Sequence, residues 1–178
     1  MDSLNREIFF RYAVLFFLNI LFFSDFFSSV FVFLFVKLLS YFFSFFFSLQ
    51  TVNSLFFVEG TFTVVEIAKE CVAPFAYLFL SFFFLSLPLR FFNSLKLLVY
   101  SLVFFTFFNF LRIAFLSFLL LEGMVNLFHQ VHSFFYYFFT CFFLLGLCFF
   151  FYKGFKISGI PFYDDFTTLS RQILKERK

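Results

Sequence analysis

Four residue types stand out against a background of almost inert side chains: a cysteine, an arginine, an asparagine and a pair of histidines. Cys71 lies in VVEIAKECVAPFAY, where the pattern predicts a place at or near the first turns of a helix. A thiolate is a nucleophile, and a helix N-terminus or a nearby cation stabilises it. Glu66 and Glu70 oppose that stabilisation unless they face away or pair with Lys69. Taken alone, such a cysteine is more often a buried bystander. Arg112 lies in FNFLRIAF, one helical turn after Asn109 and on the same face. An arginine at the centre of a membrane helix costs about 2.5–3.5 kcal/mol on insertion scales, so it normally faces a protein interior or a wet cavity. The blander reading is that it snorkels to the headgroups. His129 and His132 lie three apart in LFHQVHSFFYY. They could share a metal, but H-E-x-x-H is absent and Glu122 is the one candidate third ligand. Alternatively one of them is a general base for the thiol, or both are amphipathic filler at a membrane interface. Taken together, Cys71, His132 or His129, and Arg112 supply a nucleophile, a proton shuttle and a cation for a thiolate or an oxyanion.

The background fixes the class of protein. Of 178 residues 63% are hydrophobic and 13% charged, where soluble domains carry about 45–50% and about 25%. That excludes a soluble globular domain, a disordered chain and a disulfide-stapled secreted scaffold. Phenylalanine accounts for 46 residues and tryptophan for none. Phe inserts favourably at a helix centre, so most Phe positions are lipid-facing filler. Cys141 and Cys148 sit in one apolar run, where Cys behaves as a small hydrophobe. No C-x-x-C or zinc spacing is present.

Cutting the apolar runs at their polar breaks predicts an all-α polytopic membrane protein with about four to six transmembrane helices, each near the ~20 residues a bilayer needs. Residues 8–24 form a first helix, and Ser24-Asp25 breaks it from a second at residues 26–48. Residues 51–66, with β-branched residues on both sides of Glu59-Gly60, read as a short β-hairpin-like outer segment. A third helix is expected over residues 67–87 up to Pro88, a fourth over 94–121, and a last span over 132–152. The domain reading is N-terminal hydrophobic helices at 1–50, the hairpin segment at 51–66, a helical core at 67–152 and a basic tail at 153–178.

Charge sets the expected orientation. The tail holds Lys153, Lys156, Arg171, Lys175, Arg177 and Lys178 against Asp164, Asp165 and Glu176, which accounts for the whole net +3. A basic segment directly after a hydrophobic span reads as cytoplasmic, and as a topology anchor before a nucleic-acid surface. The last span then starts outside, with His132 at its outer end. Arg112 falls in the outer half of the fourth helix, and Cys71 at the outer end of the third. Three chemically useful residues from three helices converge on one outer layer. Five full spans put the N-terminus outside, against Arg6 and Arg11; the other solution lays residues 26–48 along the interface. The first span is expected to stay uncleaved, since no small-residue cleavage site follows it.

EIAKECVAPFAY, NFLRI and FHQVHSFFYYFF, in that order, resemble the exosortase/archaeosortase family of multi-pass membrane cysteine transpeptidases. The resemblance covers about residues 60–152, and the chain's length is similar to that of minimal archaeal-type members. It implies Cys71 as nucleophile, Arg112 as the family arginine, and His132, with Tyr136 four residues on, as the family histidine; His129 and Asn109 stand as alternative and supporting residues. One departure is Val72-Ala73-Pro74 where family members often carry Gly just after the cysteine. The implied activity is cleavage of C-terminal sorting signals (motif, hydrophobic helix, basic end) on exported proteins. The acyl group then passes to a lipid or cell-surface amine, or to water. The implied site is on the outer face of the cell membrane, the implied C-terminus is cytoplasmic, and neither metal nor organic cofactor is required. Two other readings compete: a non-catalytic scaffold or transporter subunit, and a metal-dependent intramembrane protease built on His129 and His132.

Overall fold

A chain this apolar has to satisfy its backbone hydrogen bonds internally, and helices do so within a single segment. The computed structural model describes residues 3–52, 55–58 and 64–157, together with 163, 166, 167 and 170. Its order is α1 (Ser3–Phe23), α2 (Asp25–Phe43), β1 (Leu49–Val52), β2 (Leu55–Val58), β3 (Val64–Glu66), a 3-10 turn (Lys69–Val72), α3 (Pro74–Leu85), α4 (Phe91–Leu121), α5 (Val125–Phe134), a π turn (Phe135–Phe139) and α6 (Thr140–Gly154). Among the described residues, three helical runs are long and apolar enough to cross a membrane: Asp25–Phe43, Phe91–Leu121 and Val125–Gly154. The protein is membrane-embedded. The Glu59-Gly60 tip of the expected hairpin and the tail charges Asp164, Asp165, Arg171, Lys175, Glu176, Arg177 and Lys178 lie outside the described residues.

The helix boundaries have local causes. Ser24 caps α2, its hydroxyl accepting from the Phe27 N–H at 3.2 Å, and Asp25 adds a carboxylate to the first turn, where the helix dipole favours it. Gly123, at φ +72°, closes α4. The Met124 N–H reaches the Leu119 carbonyl at 2.9 Å and the Gly123 N–H reaches that of Leu120 at 3.0 Å, the paired bonds of a Schellman stop.

Two elements differ from the sequence expectation. Residues 67–87 are not one helix, because Pro74 has no N–H and its ring clashes with the carbonyl four residues back, so it is tolerated only in a first helical turn. α3 starts there and is 12 residues long, about 18 Å at 1.5 Å per residue. That is short of the ~30 Å hydrocarbon layer. The final helical run begins at Val125, seven residues before the expected 132, directly after the Gly123 turn. β1, β2 and β3 form one antiparallel sheet in that order, with Leu49 opposite Val58 and Phe56 opposite Val65.

The chain divides into two compact units. The first comprises residues 1–22, 75–104 and 144–178. Tyr77, Leu80, Phe84, Leu97 and Leu98 are buried there, and so is Arg11. The Arg11 guanidinium donates to the Leu87 carbonyl just past the end of α3, where a cation complements the helix dipole. Charged hydrogen bonds of this kind are worth about 1.5–3 kcal/mol. Arg11→Leu is therefore expected to cost about 2 kcal/mol, read as a lowered thermal midpoint of the full chain in detergent.

The second unit comprises residues 23–74 and 105–143. One stripe of α2 is buried, Ser28, Val32, Phe35, Val36, Leu39 and Phe43, at the three- and four-residue spacing of a single helix face. α2 packs against β1, β2 and the 3-10 turn. Phe35 meets Phe110 of α4 with ring centroids 6.0 Å apart, and Lys37, at the middle of α2, faces outward over the Phe33 ring at 5.7 Å.

Candidate functional site

Cys71, Asn109, Arg112, His129 and His132 all belong to the second unit. Cys71 lies in the 3-10 turn between β3 and α3, outside the three apolar runs. Its N–H reaches the Ala68 carbonyl and that of Ala73 reaches the Glu70 carbonyl, both at 3.0 Å. Ala73 ends the turn in the left-handed region at φ 57°, a conformation that costs an L-residue roughly 1–2 kcal/mol. Ala73→Gly removes the Cβ responsible and is expected to raise stability by about 1 kcal/mol, visible as a higher thermal midpoint.

A four-residue turn leaves carbonyls unpaired, and α4 supplies their donors. The Asn109 amide donates to the Cys71 carbonyl at 3.0 Å and to that of Val72 at 3.2 Å. One helical turn on, Arg112 Nη2 donates to the same Cys71 carbonyl at 3.1 Å. Arg112 Nη1 donates to the Thr140 hydroxyl at 3.2 Å, and that hydroxyl donates to the Phe135 carbonyl at 2.7 Å. Arg112 Nε is buried and has no hydrogen-bond partner among the described residues. The guanidinium lines a small cleft with Asn109, Thr140, Phe108, Phe139 and Phe143. The arginine does not snorkel: its head group is committed to the protein.

Cys71 sits in the 3-10 turn three residues before α3 begins at Pro74, near the start of that helix and not within its first turn. Burial pushes the thiol above its ordinary pKa, the Arg112 guanidinium and the Ala68 hydrogen bond pull it back, and Glu70 pushes it up again. At neutral pH the resting group is a thiol, and a nucleophilic role needs a base to remove its proton.

His132 is half-buried, and its ring is stacked between Phe128 (5.4 Å, 28°) and Tyr136 (6.4 Å, 16°), one helical turn away on either side. It lies within electrostatic reach of Arg112 and of His129. His129 is exposed. Among the described residues no group of three His, Cys, Asp or Glu could hold a metal, so Glu122 does not join the histidines. Lys69 pairs with Asp25 at the start of α2, N–O 2.7 Å, in place of Glu66 or Glu70. That pair ties the turn carrying Cys71 to the N-terminus of α2. Cys141 is exposed and Cys148 is buried.

The chain matches no protein-family model, no curated protein and no solved structure. The structure brings Cys71, Asn109 and Arg112 into hydrogen-bonded contact and puts His132 within electrostatic reach of Arg112. Two participants were missed in the sequence: Thr140 and the π turn before it. Thr140 interrupts an aromatic run, FFYYFFTCFF, and a lone aliphatic hydroxyl in such a run is the one signal that could have found it.

Proposed function

We propose that this protein is a membrane-embedded cysteine peptidase and transpeptidase of the exosortase/archaeosortase kind. It would cut the C-terminal sorting signals of exported proteins and transfer them to a lipid or cell-surface amine. The observation that carries this reading is the arrangement around Arg112. One guanidinium grips the backbone of the cysteine turn, acts on the thiol, and lies within reach of the half-buried His132.

In this reading the client's hydrophobic helix packs beside the chain in the bilayer and presents its motif at the outer face. The Cys71 sulfur attacks the scissile carbonyl carbon while His132 accepts the thiol proton. Negative charge builds on the carbonyl oxygen, and the cation of Arg112 stabilises it. As the tetrahedral adduct collapses the C–N bond breaks, and the departing amine takes the proton from His132. A thioester to Cys71 remains. An incoming amine, or water, attacks that thioester, gives its proton to His132 and releases the thiol. Each proton removed is returned and no electrons change hands, so the cycle needs neither metal nor redox partner. The topology that goes with it is a multi-pass protein with about four to six spans, the strands and the site on the outer side of the cell membrane, and the tail from Lys153 in the cytoplasm.

A second reading has a specific observation in its favour. Among the described residues, both hydrogen bonds from the Asn109 amide and one of the two from the Arg112 side chain end on a backbone carbonyl, which is what polar glue in a non-catalytic scaffold would do. Co-expression with a reporter carrying a tripartite C-terminal tail from the source genome separates the two. The proposal expects loss of the tail and a mass gain or a new hydrolytic C-terminus at one fixed bond; an unchanged reporter for every such tail favours the scaffold.

A further inference from the structure

We infer that the π turn Phe135–Phe139, closed by Thr140, is a positioning device that turns His132, and not His129, onto the face that meets Arg112. The inference rests on the proposed reading for its purpose but on helix geometry for its content.

His132 precedes Thr140 by eight positions and His129 precedes it by eleven. At about 100° per residue, a regular α-helix would put His132 about 80° away from Thr140 around the axis, and His129 only about 20° away. A π turn takes up one extra residue and so removes about one 100° step. The order reverses: His132 comes to lie about 20° from Thr140, and His129 about 80°. The exposures follow this pattern, with His132 half-buried and His129 exposed.

Thr140 is where the two halves of the device join. Its backbone N–H closes the wide turn onto the Phe135 carbonyl, and its hydroxyl donates to that same oxygen at 2.7 Å. With its one proton spent there, the hydroxyl presents only lone pairs to Arg112 Nη1, 3.2 Å away. Arg112 is thus braced between two fixed acceptors, the Cys71 carbonyl and the Thr140 hydroxyl. Single π turns inside α-helices recur at functional sites, and here the turn lies between the histidine and the arginine's brace. Thr140 acts through Arg112 and is a positioning residue.

The test uses the full chain in detergent and reads alkylation of Cys71 by iodoacetamide against pH, residue by residue in a mass spectrometer. Thr140→Val keeps the volume and loses the acceptor. It is expected to raise the pH midpoint in the same direction as Arg112→Ala, and Thr140→Ser is expected to restore the wild-type profile. One alanine inserted between Tyr137 and Phe138 turns α5 by about a further 100°. In that variant the neutral-pH labelling rate should cease to depend on His132 and come to depend on His129, tested with His132→Ala and His129→Ala. A Thr140→Val profile identical to wild type, in a protein where Arg112→Ala does move the midpoint, overturns the inference and leaves the proposed function standing. So does an insertion variant that still depends on His132. A midpoint indifferent to Arg112 removes the proposed reading, and the inference falls with it.

Discussion

Cys71→Ser is expected to lower processing of a tailed client on the order of 10³-fold or more while leaving the fold intact. The substitution is near-isosteric and removes no hydrogen bond of the site, since Asn109 and Arg112 hold the carbonyl of residue 71 and not its side chain. What it removes is acidity. A serine hydroxyl is a far weaker acid than a thiol, and burial already works against charge at this position. The check pairs reporter processing with the thermal midpoint of the purified variant, and Cys141→Ser, at an exposed position on α6, serves as the control. A scaffold would tolerate both changes equally. Loss of processing with an unchanged midpoint is the expected pattern.

Arg112→Ala carries the second large effect, and it has two parts. Losing a preorganised cation from an oxyanion site costs on the order of 10²–10³ in turnover. The same cation offsets burial at Cys71, so its removal leaves burial unopposed and moves the thiol further up. The rising limb of the pH–rate profile should accordingly shift to higher pH, and activity measured near neutrality should fall more than activity measured at high pH. Arg112→Lys should not rescue it. One ammonium cannot repeat the planar fork that spans the Cys71 carbonyl and the Thr140 hydroxyl. Some stability is retained in either variant, because Asn109 still serves the carbonyls of Cys71 and Val72.

The legible part of this protein was its polar minority. Ser24-Asp25 and Glu122-Gly123 interrupt the apolar runs, and the chain breaks its helices at both places. Asn109 and Arg112, one helical turn apart, predicted a shared face, and they share the Cys71 carbonyl. Where polar punctuation is missing, the pattern fails. Residues 74–87 and 134–152 carry no charged residue, so little in the pattern marks which way their helices face. The 3-10 turn before Pro74 was misread as helix because its residues are compatible with either state and only the proline's ring decides between them. The π turn was invisible for a sharper reason. An extra residue in a helix of near-identical aromatics leaves no trace in composition, although it changes which histidine faces the arginine. The raised thiol was missed because burial is a property of the packed unit and not of the sequence around Cys71.

Alkylation of Cys71 by iodoacetamide across pH, compared in wild type, Arg112→Ala and His132→Ala, tests most directly whether these three residues form one site. A wild-type midpoint above the ~8.5 of an ordinary thiol is expected, with a further rise in Arg112→Ala, a slower reaction near neutrality in His132→Ala, and Cys141 indifferent to both. A Cys71 profile that coincides with that of Cys141 and is unmoved by either substitution would contradict it, leaving a membrane scaffold whose arginine only holds a backbone turn in place.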